Sequence, residues 1–258
     1  MVDKKIIKKT GKHKDYIVIC DHSSNYIPEN YSNLGISEKT LKSHRAYDIG
    51  AAEVAIQLSN LLDCNLVMAN FSRLLIDPNR GQDDPTLIPK ISENKIITAN
   101  TKISFSYNDQ ERKKRIQEYY EPYHFQISKF IKESLNYKEI PKIISIHSFT
   151  PTWKGKDRKI EVGILWDKDN RLSNLFLKSL KNTKLGNNQP YSGRLKNDTL
   201  YRHGTLTGLP HVLIEIRQDL LLDNKNKLKW AKKIYKVLKE NKVKIESFGI
   251  KEIGSNIK

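Results

Sequence analysis

The sequence predicts one α/β domain, a mixed and largely parallel β-sheet with helices on both faces. Two observations predict it. Short apolar, β-branched runs alternate along the chain with segments whose apolar residues recur at helical spacing. The length of 258 residues fits one such domain, which we take to span residues 1–258. Only the basic ends, at about 1–12 and 245–258, are expected to be flexible.

Each predicted strand is a short apolar run that stops at polar residues. These runs are DYIVIC (15–20), NLVMAN (65–70), KIISIH (142–147), IEVGILW (160–166) and HVLIEI (211–216). Apolar residues at helical spacing occupy 48–62, about 109–136, 171–180 and 226–240. Pro122 should kink the second of these helices. Strands that alternate with helices predict parallel βαβ units.

The segment 77–106 is predicted to be a long loop. It contains Pro78, Gly81, Pro85 and Pro89 and has little apolar periodicity. Long ordered loops in a compact domain usually carry function, so we place this one near a site and do not treat it as a linker between domains.

The composition gives the class of protein. The net charge of +17 would suit a nucleic-acid-binding protein, but the lysines are scattered and concentrate at both ends, which is typical of a solvated surface. No specific nucleic-acid partner is therefore expected.

The charged start shows no signal peptide, and no segment is long enough to span a bilayer. Cys20 and Cys64 lie outside any CxxC spacing and predict reduced thiols in a cytoplasmic protein. The oligomeric state stays open.

Two histidines follow the same pattern and predict a metal site. His22 comes directly after one apolar strand, and His147 ends another. A single histidine in such a place is more often structural, but the carboxyl ends of parallel strands meet at one edge of a sheet. A catalytic zinc takes three nitrogen or oxygen ligands and keeps one position open. The third ligand could be Asp48 or Asn25; carboxylates bind zinc better, which favours Asp48, although Asp48 could instead cap a helix.

Glu215 is the candidate general base. It lies between Ile214 and Ile216, so strand alternation turns its side chain to the opposite face. A buried carboxylate is costly unless it has a function or a cationic partner, and Arg217 could be that partner. Next to a metal-bound water, a carboxylate can take a proton and later return it to a leaving amine.

The stretch FSRLLIDPNRG at 71–81 predicts an anionic substrate. It places Arg73, Asn79 and Arg80 just after a strand-like run, and the arginine fork matches a carboxylate. Taken alone, the segment would more often be an ordinary turn with surface charges.

Six motifs in order resemble the N-formylglutamate amidohydrolase family, and together they cover roughly residues 15–240. They are HSSNYIP (22–28), HRAYDIGA (44–51), SRLLIDPNR (72–80), IHSFTP (146–151), NQPYSG (188–193) and IEIRQDL (214–220). The family is similar to zinc carboxypeptidases and aspartoacylases. The resemblance implies a phosphorylase/hydrolase-like α/β fold, Zn²⁺ or another divalent metal, and hydrolysis of a small anionic N-acyl amino acid. N-formylglutamate would give glutamate and formate.

By the same resemblance, His22 and His147 are metal ligands and Glu215 works on the metal-bound water. Arg73 would stabilise the oxyanion, while Asn79 and Arg80 would hold a substrate carboxylate. The carboxypeptidase relatives have HxxE where this chain has HSSN at 22–25, so the expected glutamate ligand is missing and Asp48 is its substitute.

Three further residues are candidates for the substrate pocket, each with a structural role as the alternative: Tyr191, His203 and His124. Two other functions also stay open. The enzyme could act on another N-acyl amino acid or a small peptide, or the chain could be a non-catalytic, basic nucleic-acid-binding protein on the same fold.

Overall fold

The computed structural model describes residues 5–257, and its centre is a seven-stranded β-sheet. The strands are β1 (Ile6–Lys9), β2 (His13–Cys20), β3 (Cys64–Ala69), β4 (Ile91–Ser92), β5 (Lys95–Ile96), β6 (Lys142–Phe149), β7 (Thr152–Trp153), β8 (Lys156–Asp157), β9 (Val162–Leu165), β10 (Leu185–Asn187) and β11 (His211–Arg217). The sheet order is β1-β3-β2-β6-β11-β9-β10, while β4 with β5 and β7 with β8 form separate hairpins.

The middle of the sheet is parallel and its flanks are mixed. Strands β3, β2, β6 and β11 run parallel to one another. Strand β1 is antiparallel to β3, and β9 is antiparallel to β11, with β10 parallel to β9. This arrangement confirms the predicted mixed, largely parallel sheet.

The helices lie on both faces of the sheet, as predicted. They are α1 (Glu38–Leu41), α2 (Ala51–Leu62), α3 (Gln110–Arg115), α4 (Glu121–Asn136), α5 (Ser173–Ser179), α6 (Asn224–Glu240) and α7 (Lys242–Glu246). On one face α2, α5, α6 and α7 bury an apolar cluster, and on the other face α4 packs with the loops between 27 and 103.

Strand β2 contributes side chains to both apolar clusters. Val18 and Cys20 belong to the cluster under α2, whereas Ile17 and Ile19 belong to the cluster under α4. Because successive side chains of a strand point to opposite faces, a strand covered on both sides needs a continuous apolar run. The run of residues 15–20 has this composition, which is why the strand was predictable from the sequence.

The long helix predicted over 109–136 is interrupted. Helices α3 and α4 are joined by a π-helical turn at Ile116–Tyr120, and Pro122 lies in the first turn of α4. Proline has no backbone N–H, so it cannot donate a helical hydrogen bond to a carbonyl of the preceding turn. The wider π-turn therefore lies one turn ahead of the residue at which the kink was predicted.

The basic ends make defined contacts in the part of the chain that the structure describes. Residues 6–9 form the edge strand β1, and the Asn70 N–H donates to the carbonyl of Lys5. In the tail, the Lys251 N–H donates to Gly208 O and the Asn256 N–H donates to the Asp167 carboxylate. Residues 1–4 and 258 lie outside the described residues.

The two cysteines are not joined in a disulfide. Cys20 and Cys64 are free and buried, and burial raises the pKa of the Cys64 thiol to about 12. Within residues 5–257, no helix combines the length and the apolar character needed to cross a membrane.

Candidate active site

The sheet brings the predicted strand-end residues together. Strands β2, β6 and β11 are neighbours, so the residues at their carboxyl ends share one edge. His22 follows β2, His147 lies near the end of β6, and Glu215 on β11 is in register with His147. These three side chains are buried together at this edge. The placement is the one that the carboxyl-end rule for parallel sheets predicts.

Asp48 joins the two histidines. Its Oδ2 lies 2.7 Å from His147 Nδ1 and 3.3 Å from His22 Nδ1. One nitrogen of each ring and one carboxylate oxygen lie within 4.8 Å of one another. Its backbone N–H donates to His22 O, and α2 begins three residues later with Gly50, not Asp48, at the N-cap position. Asp48 therefore faces the histidines and does not cap the helix.

Asn25 does not join this group. Its side-chain amide donates to the carbonyl of Leu41, at 3.0 Å. Of the two residues considered for the third ligand position, the structure brings only Asp48 to the histidines. As metal ligands, all of these residues remain predictions.

Two further carboxylates hold the other nitrogen of each ring. Asp77 Oδ1 lies 2.7 Å from His22 Nε2, and Asp21 Oδ2 lies 3.0 Å from His147 Nε2. Asp21 is fully buried and also accepts hydrogen bonds from Tyr123 and Thr199. A carboxylate on the far nitrogen is the usual partner of a metal-binding histidine, because it fixes the tautomer and the ring orientation.

The buried charges determine the protonation of the site. Burial by itself would raise the pKa of Asp21, but the hydrogen bond and charge of His147 outweigh burial and lower it to about 2. Asp48 and Asp77 also have lowered pKa values despite their burial, through the histidines and Arg73. The pKa of His147 is raised well above its usual value because its two carboxylate partners outweigh burial.

This geometry suits a cation between the two Nδ1 atoms and Asp48. When each Nε2 donates its proton to Asp77 or Asp21, each neutral ring directs the Nδ1 lone pair at the carboxylate of Asp48. Three electron-pair donors that face one another repel unless a positive charge lies between them. The guanidinium of Arg73, whose Nη1 lies 3.3 Å from His22 Nδ1 and 3.8 Å from Asp48, supplies part of that charge, and protons on the rings or a divalent metal ion would supply the rest. The donor set of two imidazoles and one carboxylate therefore fits a divalent metal.

The carboxyl group of Glu215 lies beside this group. Its Oε2 is buried and has no partner among the described residues. Burial raises the pKa of the Glu215 carboxyl to about 7, with the charge of Asp48 adding to the effect. Arg217, its possible cationic partner, instead binds Asp219 and the carbonyl of Arg158. Glu215 can therefore gain or lose a proton near neutral pH.

The site opens into a cavity of about 390 Å³. Its floor contains His22, Asp48, His147 and Glu215, and its wall includes residues of the 77–106 segment. The segment is folded back by its own hydrogen bonds, such as Asp77 N–H to Leu87 O, at 2.7 Å. The expectation of a long loop near a site is therefore met.

Arg73, Asn79 and Arg80 all line this cavity. Arg73 donates to Asp77 at 2.8 Å, and its other terminal nitrogen lies 3.8 Å from Asp48. Among the described residues, no hydrogen bond engages Asn79 Nδ2 or Arg80 Nη2. Asn79 Oδ1 accepts from the Thr199 N–H, Arg80 Nε donates to Thr86, and Arg80 Nη1 donates to the carbonyl of Asn79. These two residues therefore keep donors available to a ligand.

Comparisons with known proteins identify the family. The model of the N-formylglutamate amidohydrolase family matches residues 14–222. This chain belongs to that family. The crystal structure of a gene product from Agrobacterium tumefaciens is similar at 32% identity, with a TM-score of 0.88 over 95% of this chain and 97% of that one.

A more distant structure shares the fold. N-formylglutamate amidohydrolase from Ralstonia eutropha is similar at 17% identity, with a TM-score of 0.64 over 93% of this chain and 97% of that one. A comparison with curated proteins gave no match. The predicted family and the predicted α/β fold are confirmed, and the chain is a hydrolase of the N-formylglutamate amidohydrolase type.

Of the three candidates for the substrate pocket, one lines the cavity and two lie behind its wall. Tyr191 lines the cavity, and its hydroxyl accepts a hydrogen bond from Arg158 at 2.9 Å. His124 and His203 do not line it, which corrects the prediction for both. They form a buried pair behind the wall, with 2.9 Å between His124 Nδ1 and His203 Nε2, and His124 Nε2 lies 3.0 Å from Pro78 O. Their contacts support the 77–106 segment from outside the cavity.

Sequence reasoning assigned no role to three carboxylates of this site. Asp21 and Asp77 orient the histidines, and Asp198 lines the cavity with a pKa that burial raises to about 7. Asp21 directly precedes His22, and Asp77 belongs to a family motif, so their positions carried a signal. Asp198 carried none, because it follows the polar stretch RLKN and precedes no apolar run.

The buried histidine pair predicts loss of stability in acid. Burial, aided by Arg202, lowers the pKa of His203 to about 4, whereas an unfolded histidine titrates near 6.5. Between these values the unfolded chain binds more protons, so the free energy of unfolding falls as the pH falls from about 6.5 to about 4. His203→Gln should make this slope shallower by up to about 1.4 kcal/mol per pH unit. Urea unfolding at several pH values measures it.

The exposed His13 provides the control. His13→Gln should leave the slope unchanged. If His203→Gln and the unsubstituted chain had the same slope, His203 would not be the group that titrates.

Proposed function

We propose that this family member hydrolyses the amide C–N bond of a small N-acyl amino acid with the help of a divalent metal, zinc being the best fit. N-formylglutamate, giving glutamate and formate, is the proposed substrate. The observation that supports this most directly is the convergence of His22, His147 and Asp48 beside the unpartnered carboxyl of Glu215. Another N-acyl amino acid or a small peptide is the alternative substrate.

The residues that would hold the metal are His22, Asp48 and His147. When bound there, zinc supplies Lewis acidity, which polarises the acyl oxygen and acidifies water. Asp21 and Asp77 keep both rings in the tautomer that leaves each Nδ1 unprotonated, and a metal would replace the Arg73 N–H that lies 3.3 Å from His22 Nδ1. The burial of all five side chains keeps them in this orientation.

Glu215 moves the proton. Its carboxylate accepts a proton from the water that attacks the acyl carbon, and then delivers this proton to the departing amino nitrogen. A pKa of about 7 suits both steps, because the group can accept and return a proton near neutral pH. The same burial that raises this pKa also excludes competing solvent from the carboxyl group.

Arg73 and the 79–80 pair act on the substrate. Two of the five N–H groups of Arg73 are engaged, by Asp77 and by the ring of His22, which leaves others to stabilise the oxyanion. Asn79 Nδ2 and Arg80 Nη2 hold a substrate carboxylate. This fixes the amide bond in place over the floor of the cavity.

Metal analysis combined with a substrate panel tests the proposal. The purified protein should contain stoichiometric zinc or another divalent metal and should release amine from N-formylglutamate faster than from other N-formyl and N-acyl amino acids. Asp48→Ala should lose the metal, whereas Asp219→Ala, at an exposed aspartate, should keep it. A protein with neither metal nor turnover would refute the proposal.

Glu215→Gln should separate catalysis from metal binding. The amide cannot accept the proton, so turnover should fall by about 10² to 10⁴. The metal content should stay the same, because Glu215 is not a ligand. The control is Glu118→Gln, which removes a carboxylate that pairs with Lys5. Full activity of the Glu215→Gln variant would rule out the general-base role.

Arg80→Ala should weaken the binding of charged substrates selectively. For N-formylglutamate, loss of a charge-assisted contact should raise KM roughly tenfold. For the neutral diamide analogue of the same substrate, KM should change little. Steady-state kinetics on both compounds gives the comparison. Equal increases for the two compounds would show that Arg80 does not bind the carboxylate.

A further inference from the structure

A second group of cationic side chains lies in the same cavity. His44 and Arg45 follow α1 and line the cavity together with Asp48. Their side chains are 29% and 24% exposed, so they lie at the boundary between the cavity and solvent. Within residues 5–257, the polar partner of both side chains is Glu93 and not a proposed metal ligand, and the proposed function gives them no role.

This pair already holds a carboxylate, which belongs to the chain itself. Glu93 Oε1 and Oε2 each lie 2.9 Å from His44 Nε2, and Oε2 lies 3.1 Å from Arg45 Nη2. The geometry therefore accepts a carboxylate between an imidazole and a guanidinium group. Glu93 also lines the cavity, so a ligand in the cavity could reach the same donors.

Glu93 leaves one N–H donor of the Arg45 guanidinium group without an acceptor. The Nε of Arg45 is buried and has no hydrogen-bond partner among residues 5–257. A guanidinium group can bind a carboxylate through two parallel N–H donors, which is the stronger arrangement. Glu93 pairs with Nη2 and leaves Nε without a partner among the described residues, so it does not make the two-donor contact that a ligand carboxylate makes in its place.

The segment that carries Glu93 is weakly held. Glu93 lies in the turn between β4 and β5, which contain two residues each. Such a hairpin is marginal without packing, and its Ile91 and Ile96 are 63% and 62% exposed. Glu93 and Asn94 have φ of 44° and 64°, a left-handed conformation that is uncommon for residues other than glycine. An ion pair that is partly exposed adds little to hold the turn in place.

We propose that His44 and Arg45 form a second carboxylate subsite, which Glu93 occupies and a ligand carboxylate takes over by displacing it. The inference rests on the proposed function, in which Asn79 and Arg80 hold a first carboxylate in the same cavity. Two such subsites select substrates with two carboxylates over those with one. Competition from Glu93 excludes ligands that lack a second anionic group, because a neutral group cannot replace its charge.

Binding of glutarate and its monoamide, glutaramate, tests the subsite without any catalysis. The two compounds differ in one charge, and the symmetry of glutarate makes it irrelevant which end binds at which subsite. Isothermal titration calorimetry on the purified protein should show that glutarate binds roughly tenfold more tightly than glutaramate. Arg45→Gln should reduce this preference to less than about twofold, mainly by weakening glutarate.

Glu93→Gln should have the opposite effect. It removes the charge of the competing carboxylate, so glutarate should bind several-fold more tightly and its preference over glutaramate should rise. A gain in affinity cannot come from misfolding. The control is Glu38→Gln, which removes an exposed ion pair with Lys42 and should change neither affinity.

Two results would overturn the subsite. One is that Arg45→Gln weakens the binding of glutarate and of glutaramate equally. The other is that Glu93→Gln weakens the binding of glutarate. Either result would mean that the contact of Glu93 with His44 and Arg45 only stabilises the β4–β5 hairpin. Failure of the proposed function is distinguishable from this. A protein that prefers glutarate but releases no amine from any N-acyl amino acid would keep the subsite and lose the proposed hydrolysis.

Discussion

The carboxylate of Asp48 is the contact on which the arrangement of the site depends. Its Oδ2 lies within 3.3 Å of one nitrogen on each of two imidazole rings and of the Ser148 N–H, so it links the end of β2, strand β6 and the start of α2. An ionised carboxylate buried to this extent is costly unless it is paired. The histidines can reach it only if β2 and β6 are adjacent and parallel and α2 starts at that edge.

The two outer aspartates extend this constraint to the rest of the fold. Asp21 binds His147 and also Tyr123 of α4 and Thr199 of the loop before β11. Asp77 binds His22 and Arg73, and the carbonyl of the next residue, Pro78, is held by His124. The 77–106 segment is thereby part of the site, although it contributes little regular secondary structure.

The charge of the site differs from the charge of the chain. The chain carries a net charge of +17, yet four carboxylates, those of Asp21, Asp48, Asp77 and Glu215, are buried at one edge of the sheet. Arg73 and the histidines offset them locally, while the chain as a whole is strongly basic. A strongly basic protein favours the approach of small anions. Buried carboxylates for chemistry and a basic exterior are therefore compatible in one protein.

The sequence alone determined the elements whose signal is local. Continuous apolar runs predicted β2, β3, β6, β9 and β11, and strand ends placed His22, His147 and Glu215 at one edge, because parallel strands share a direction. It did not predict β1 or β10, since three or four residues are too few to show a period. Tertiary structure decided between Asp48 and Asn25, gave Asp21 and Asp77 their partners, and moved His124 and His203 out of the cavity. The contacts of these aspartates with the histidines, and of Asp21 with Thr199, join residues between 26 and 178 positions apart, and no local pattern records which distant side chains meet.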